Sequence, residues 1–245
     1  MSKPSIFLMK KKLINQYTWE DLEVVFEDNH LIVINKPSGM PTQEDSSQDP
    51  DAFSLTKDYI KNKYNKPGNV YLGLLHRLDR PTSGILVMAK TSKAATRISK
   101  QFSSRSIQKT YFAITEKTPS KSEGIIISYL KQLQEKNIMR AHSQPVKDGK
   151  KAELSYQVLK THKGRALLKI KPLTGRKHQI RVQLASIGCE ICGDVKYGQK
   201  TQFLPDKSIA LLAREIELVH PTLQQNMRFT VDLPLSRIWD NFREN

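Results

Sequence analysis

Short apolar runs separated by polar turns mark the first part of the chain. Residues 22–35 contain two runs of β-branched residues broken at 27–29, which predicts a hairpin-like opening. Two further apolar runs, 70–75 and 85–89, predict buried strands. The polar stretch 76–84 between them must therefore form a loop, and loops held by buried strands often carry functional residues.

The rest of the pattern contains more strands than helices. Helices are predicted at 52–64, 92–103 and 174–187, with a short one from about Pro234. In the helix opening at Thr174, Ile180, Leu184 and Ile187 fall on one face, with Arg181 beside it. Strands are predicted near 109–115, 124–130, 136–142, 151–161, 165–171, 209–219 and 227–232. This succession predicts an α+β fold, a mainly antiparallel mixed sheet flanked by helices.

The chain length favours one catalytic unit. Its 245 residues suffice for one sizeable core, so we expect a basic N-terminal tail over 1–20 and a single domain over 21–245. The tail has apolar residues before its lysines, the wrong order for a secretory signal, and no stretch reaches the apolar length of a membrane span. Two cysteines do not make a disulfide framework. We expect a cytoplasmic monomer.

Charge points to a polyanionic partner. The formal net charge is +16, from 40 Lys and Arg against 24 Asp and Glu. Residues 160–181 hold eight basic residues and no acid, whereas residues 20–51 hold nine carboxylates and the single cation Lys36. Nucleic acid is the leading partner, and we expect one face to attract it and another to repel it. Charge alone leaves open a protein that is merely basic.

The loop 76–84 (HRLDRPTSG) places Asp79 between Arg77 and Arg80. Both arginines favour the ionised carboxylate, which could act as a nucleophile or a base. An aspartate between arginines is, taken alone, more often part of a structural ion pair. Spacing does not decide between the two interpretations.

Five ordered blocks resemble the RluA-type pseudouridine synthases, which isomerise uridines in RNA. The blocks are 26–40 (FEDNHLIVINKPSGM), 76–84, 108–114 (QKTYFAI), 173–198 (LTGRKHQIRVQLASIG followed by GDVKYG) and 210–221 (ALLAREIELVHP). The resemblance covers about 22–234 and implies a synthase acting on structured ribosomal or transfer RNA by base flipping, without cofactor or metal. Many members carry an N-terminal S4 domain that this sequence lacks, so we expect the catalytic domain to bind RNA by itself.

The resemblance assigns three catalytic residues. Asp79 is matched to the catalytic aspartate, Tyr111 to the aromatic that stacks on the target uracil, and Arg181 to the arginine that pairs with the aspartate. Without the resemblance, Tyr111 would be read as a core aromatic and Arg181 as a solvated or phosphate-binding side chain. Arg77 is matched to the arginine that enters the RNA helix.

The residues expected to contact RNA are Arg77, Arg80, Lys36, Arg176, Lys177, His178 and Lys169. For Lys36, beside the uracil pocket, and for Arg176 and His178 a structural role is equally open. Two positions depart from the family pattern, Gln183 and Leu212, where members often have histidine. These departures put details of the pocket rim in doubt.

Cys189 and Cys192 have the spacing of a metal or redox pair. A second pair is missing and no histidine cluster completes four ligands, so we interpret both as small buried residues and assign no metal. Two rival functions remain: an RNA-binding or ribosome-assembly factor without turnover, and a DNA-binding module, which fits the charge but lacks a helix-turn-helix or zinc pattern.

Overall fold

The structure, a computed structural model, describes residues 14–133, 137–198 and 208–243. The strands in these ranges are β1 (Glu23–Glu27), β2 (Leu31–Lys36), β3 (Gly73–Leu74), β4 (Ser83–Ala89), β5 (Gln108–Thr115), β6 (Glu123–Gln132), β7 (Met139–His142), β8 (Lys150–His162), β9 (Arg165–Pro172), β10 (Leu211–Val219) and β11 (Asn226–Thr230). The α-helices are α1 (Ala52–Lys63), α2 (Ser92–Ser104), α3 (Gln179–Ser186) and α4 (Arg237–Asp240).

All these strands form one sheet, in the order β1-β2-β4-β10-β5-β9-β8-β6-β7, with β3 paired to β4 and β11 paired to β10. Pairing is antiparallel except between β4 and β10. The predicted α+β fold with a mainly antiparallel mixed sheet is confirmed.

Strand β2 is buried on both faces because successive side chains of a strand point to opposite sides. Leu31 and Val33 belong to the main core, while Ile32 and Ile34 pack with α1 in a second core. The same alternation in β4 joins the two cores. The loop preceding β4 is thus fixed at its carboxyl end by a fully buried strand.

Gly84 permits the close approach of β4 to β10. Its φ is +113°, and a Cβ placed there would lie 2.3 Å from the carbonyl oxygen of Ala213. Because β10 also pairs with β5, this contact brings the loop 76–82 beside the strand that carries Tyr111. A side chain at position 84 would push the loop away from that strand.

The two longer helices begin at capping side chains. Asp51 accepts a hydrogen bond from Ser54 N at 2.9 Å, and Thr91 accepts one from Ala94 N at 3.2 Å. The first helix ends at Lys63, one residue before the predicted end, and α2 ends where Arg105 adopts a left-handed φ of 61°. Both predicted helices are present.

Two predicted elements are shorter than expected. The run 70–75 forms a strand only at Gly73–Leu74, and α3 begins at Gln179 instead of Thr174. Residues 174–178 form a turn because the Gln179 side-chain oxygen accepts from Thr174 Oγ1 and Arg176 N, at 2.7 and 3.0 Å. Ile187, predicted on the apolar face, lies past the helix end and is 41% exposed.

The predicted N-terminal tail is only partly within the described residues, since 1–13 lie outside them. Ile14–Gln16 and Trp19–Asp21 form short 3₁₀ turns, and Ile14 and Tyr17 pack against the second core. The predicted strand 136–142 begins at Met139, with residue 136 outside the described part. None of the described helices is both long and apolar enough to cross a membrane.

Candidate active site

An open cleft of about 1450 Å³ lies where several separate chain segments meet. Its walls include the loop 76–82, the first part of β5, the stretch 171–181 and residues 193–196. Asp79, Tyr111 and Arg181 all line it, although Asp79 and Arg181 are 102 positions apart in sequence. The fold thus brings the three expected catalytic residues together.

The Asp79 loop is held by its own turn and by the segment 38–42. Asp79 O accepts a hydrogen bond from Thr82 N at 2.9 Å. Thr42 Oγ1 donates to Leu78 O at 2.8 Å and accepts from Leu78 N at 3.2 Å. This anchoring fixes the backbone on both sides of the carboxylate.

Lys36 supports the same loop from inside. Its Nζ donates to the carbonyl oxygens of Pro37, Met40 and Arg80 at 3.0, 2.7 and 3.2 Å, and the residue is fully buried. Burial lowers the pKa of Lys36 to about 7, against the opposing charge of Asp79. The expectation that Lys36 contacts RNA is therefore corrected, because its ammonium group has no exposed surface.

Arg181 joins two carboxylates. Its Nη1 donates to Asp79 Oδ2 at 3.1 Å, while Nε and Nη2 donate to the two oxygens of Asp194 at 2.7 and 2.8 Å. Burial alone would lower the pKa of Arg181, but the hydrogen bonds and charges of Asp194 and Asp79 raise it above its ordinary value. Arg181 is therefore a fixed, permanently charged partner for Asp79.

Sequence reasoning missed Asp194. Asp194 is only 1% exposed, and its carboxylate makes a bidentate contact with Arg181. Asp194 lies in the block GDVKYG, which resembles the family, and this position was the one signal in the sequence that could have pointed to a role for it. Nothing in the local pattern shows that this acid meets an arginine 13 positions earlier.

Tyr111 lies in the middle of the sheet. On the two strands that flank β5, Tyr111 pairs with Ile170 of β9 and Ala213 of β10, so its ring is attached to a rigid part of the sheet. Burial, followed by the nearby charge of Asp79, raises the pKa of Tyr111 above its ordinary value. The hydroxyl is accordingly protonated at neutral pH.

The two arginines that flank Asp79 differ in their partners. Arg77 is exposed and makes no hydrogen bond or ion pair within the described residues. Arg80 donates from Nε to Gly39 O at 2.9 Å and forms ion pairs with Asp45 and Asp49. Arg77 is therefore available to a ligand, whereas Arg80 is engaged by the acidic segment of its own chain.

The predicted cations near α3 also separate into two groups. Arg176 and Lys177 line the cleft and are exposed; Lys177 Nζ contacts only the Asn137 side chain among the described residues. Lys169 is half-buried and does not line the cleft, while Lys171 does. The acid-free stretch thus presents some of its cations to the cleft and others elsewhere.

His178, expected at the RNA surface, lines the cleft beside Asp79. Its side chain is 9% exposed, and Nε2 lies 4.0 Å from Asp79 Oδ2. Nδ1 lies 2.6 Å from the hydroxyl of Tyr197. Burial lowers the pKa of His178 despite the opposing charge of Asp79, so the ring is neutral. His178 also lines the cleft, so its expected contact with RNA stays a prediction.

The two departures from the family pattern lie away from the cleft. Leu212 is a core residue. Gln183 is fully buried, and its Nε2 donates to Ile126 O, Ser128 Oγ and Ala152 O. The doubt about the pocket rim is removed, because neither side chain lines it.

Cys189 and Cys192 are buried free thiols. Within the described ranges, no group of three or more His, Cys, Asp or Glu side chains is arranged to hold a metal ion.

Comparison with known proteins identifies the family of this chain. The model of the RNA pseudouridylate synthase family matches residues 30–186. Ribosomal large subunit pseudouridine synthase C of Rickettsia prowazekii is 32% identical over 227 residues, which are 92% of this chain and 71% of the relative. Ribosomal large subunit pseudouridine synthase D of Pseudomonas aeruginosa is 32% identical over 232 residues, 89% of this chain and 70% of the relative.

The solved structure of human RNA pseudouridylate synthase domain containing 4 superposes with a TM-score of 0.73 at 26% identity, covering 87% of this chain and 89% of the human one. The family expected from the five sequence blocks is confirmed. The chain belongs to the RNA pseudouridylate synthase family and is an RNA-modifying isomerase.

Proposed function

We propose that this protein converts specific uridines of large-subunit ribosomal RNA to pseudouridine, with Asp79 as the catalytic residue. The observation that carries the proposal is an Asp79 carboxylate that lines an open cleft and is ion-paired to the buried, charged Arg181. The choice of ribosomal over transfer RNA rests on relatives described as ribosomal large subunit synthases.

The reaction needs no redox partner, since substrate and product are isomers. The N1–C1′ bond of uridine breaks, the base turns while bound, and a C5–C1′ bond forms; C5 loses its proton and N1 gains one. Asp79 starts the reaction by adding to C6 of the ring, by attacking C1′ or by removing the 2′ proton. All three routes use the Asp79 carboxylate, which Arg181 holds in place through the ion pair at 3.1 Å.

Tyr111 supplies the surface for the extruded base. Chemistry at a glycosidic bond in a duplex requires the nucleotide to leave the stack, and an aromatic ring replaces part of the lost stacking. The position of Tyr111 between β9 and β10 keeps its ring in one place beside Asp79. Its protonated hydroxyl can take part in the later removal of the C5 proton only by first giving up its own.

The RNA backbone is held by the exposed cations of the stretch 171–177. Lys171, Arg176 and Lys177 line the cleft, and Arg77 projects from the Asp79 loop. Arg77 is suited to fill the space of the flipped uridine, because its side chain is exposed and two residues from the carboxylate. We also propose a reducing cytoplasmic location, which suits two free thiols and an RNA substrate.

Mapping pseudouridines in ribosomal and transfer RNA from cells with and without the gene tests the substrate. The loss of one or a few sites in the large ribosomal RNA, restored by the wild-type gene and not by a gene encoding Asp79→Asn, is the expected result. Loss confined to transfer RNA would overturn the ribosomal assignment. An unchanged map in both RNAs would favour an RNA-binding factor without turnover.

A further inference from the structure

The two oxygens of Asp79 have different surroundings. Oδ2 accepts the hydrogen bond from Arg181 Nη1 at 3.1 Å, and His178 Nε2 faces the same oxygen at 4.0 Å. Oδ1 receives no hydrogen bond from the part of the chain that the structure describes. One oxygen is therefore turned toward protein donors and the other is left to the cleft.

His178 is held in an unusual backbone conformation. Its φ is 53°, in the left-handed region that non-glycine residues rarely adopt. The neighbouring turn stabilises this conformation, because the Gln179 side chain accepts from Arg176 N at 3.0 Å and donates to Glu153 O at 3.0 Å. Such strain persists where the surroundings fix a side chain in place.

The Tyr197 hydroxyl contacts a backbone amide and one of the two nitrogens of His178. The Tyr197 hydroxyl oxygen accepts from Met139 N at 3.0 Å, and its other neighbour is His178 Nδ1 at 2.6 Å. Burial raises the pKa of Tyr197, so the hydroxyl keeps its proton. Since Met139 N is a donor, the acceptor for the hydroxyl hydrogen among the described residues is His178 Nδ1. The neutral imidazole then carries its hydrogen on Nε2, the nitrogen that faces Asp79.

The same tyrosine also supports Arg181. The guanidinium carbon lies 5.1 Å from the centre of the Tyr197 ring, and the ring meets His178 edge-on at 5.7 Å. Tyr197 and Asp194 belong to one turn, since Tyr197 N donates to Asp194 O at 3.3 Å. One short turn thus positions both groups that approach Asp79 Oδ2.

From this geometry we propose that Tyr197 and His178 are positioning residues: they present an Nε2–H donor to Asp79 Oδ2, so that Oδ2 is anchored and Oδ1 is the oxygen that reacts. The inference rests on the proposed function of Asp79. The 4.0 Å separation shortens to a hydrogen bond when RNA fills the cleft, as catalytic hydrogen bonds often tighten in the substrate complex.

Single-turnover kinetics on a uridine-containing RNA stem separates this role from an RNA contact. His178→Leu and Tyr197→Phe should each lower the rate constant about 10-fold to 100-fold, the loss expected for one hydrogen bond to a charged group, with the RNA dissociation constant within about twofold of wild type. His178→Gln keeps an N–H donor and should recover part of the rate. Tyr71→Phe, at an exposed tyrosine outside the cleft, is the matched control.

Weaker RNA binding with an unchanged rate constant would overturn the proposal and return His178 to the RNA surface. Full activity of Tyr197→Phe would also overturn it, because this variant keeps the ring and removes only the hydroxyl. A wild-type protein that isomerises no uridine would instead refute the proposed function.

Nitrogen-15 NMR of the six labelled histidines tests the tautomer without any activity measurement. The signal that His178→Gln removes should be that of a neutral ring protonated at Nε2, and Tyr197→Phe should change it. A ring protonated at Nδ1 would overturn the inference whether or not the enzyme is active.

Discussion

The two walls of the cleft use their cations differently. The first wall is formed by the Asp79 loop and the segment 39–45; behind it Lys36 is buried against carbonyl oxygens, and the Arg80 of this wall is paired with Asp45 and Asp49. On the wall formed by 171–177, Lys171, Arg176 and Lys177 are exposed. Lys36 and Arg80 thus hold the Asp79 loop in place, whereas the cations of the second wall are free to contact RNA phosphates. A count of basic residues therefore does not locate a nucleic-acid surface until the partners of each are known.

The largest expected effect is on the free energy of unfolding, and it distinguishes a buried arginine from an exposed one. Arg181→Met should lower the free energy of unfolding by about 3–5 kcal/mol, because it leaves the buried Asp194 carboxylate without its charged partner and with only the backbone N–H of Lys196 as a donor. Arg176→Met, on the exposed wall, should change it by less than about 0.5 kcal/mol. Urea denaturation of both variants measures the difference, and equal losses would mean that the two arginines play the same structural role.

Lys36 makes a pH-dependent contribution to stability behind the first wall. Its folded pKa of about 7 lies below its ordinary value, so above pH 7 the unfolded chain binds more protons and stability rises with pH. From pH 7 to 9 the gain from this residue should be about 2 kcal/mol.

The comparison variant for this effect is Lys36→Met, which cannot titrate. Its unfolding free energy should lack that rise between pH 7 and 9, seen as a smaller slope than that of wild type in denaturation curves over the same range. Parallel pH profiles for the two proteins would show that Lys36 is not a perturbed buried group.

On the first wall Arg77 is exposed, whereas Lys36 and Arg80 are bound to carbonyl oxygens and carboxylates of the protein itself. Arg77→Ala should lose about tenfold more activity on a uridine in a stem than on the same uridine in an unpaired strand, because extrusion from a stem sacrifices a few kcal/mol of stacking. Tritium release from matched stem and single-stranded RNAs measures the ratio. Equal losses on both substrates would make Arg77 a brace for the pocket instead.

The smallest expected effect concerns how strongly RNA affinity depends on salt concentration. Lys177→Ala should reduce the slope of log affinity against log salt by about 0.9, the change for one lost phosphate contact. Lys169→Ala, outside the cleft, and Arg80→Ala, already paired with carboxylates, should leave that slope unchanged. Filter binding across a salt series decides this, and a reduced slope for Arg80→Ala would show that RNA displaces the acidic segment.

Local patterns were sufficient for much of the fold. Alternating apolar residues predicted the buried strands around the loop 76–84, and the family blocks predicted that Asp79, Tyr111 and Arg181 form one set. The parallel pairing of β4 with β10 could not be inferred, since it depends on contact between residues far apart in sequence. The start of α3 was misplaced because Gln179 uses its side chain to hold a turn over residues that have helical spacing.

The roles of individual side chains were less predictable than the backbone. Lys36 and His178 have residue types common at RNA surfaces, yet Lys36 is fully buried and the His178 side chain is only 9% exposed. Asp194 was overlooked for the opposite reason, since an isolated acid in a turn gives no sign of a buried arginine partner. In each case the deciding contact comes from a distant segment, which periodicity and composition do not report.

The central claim is that Asp79 performs the chemistry and that binding resides elsewhere in the cleft. Asp79→Asn keeps the shape of the side chain and removes its charge, so release of tritium from RNA labelled at C5 of uridine should fall to background while RNA affinity stays within about twofold of wild type. Tritium release at the wild-type rate by Asp79→Asn would contradict the account.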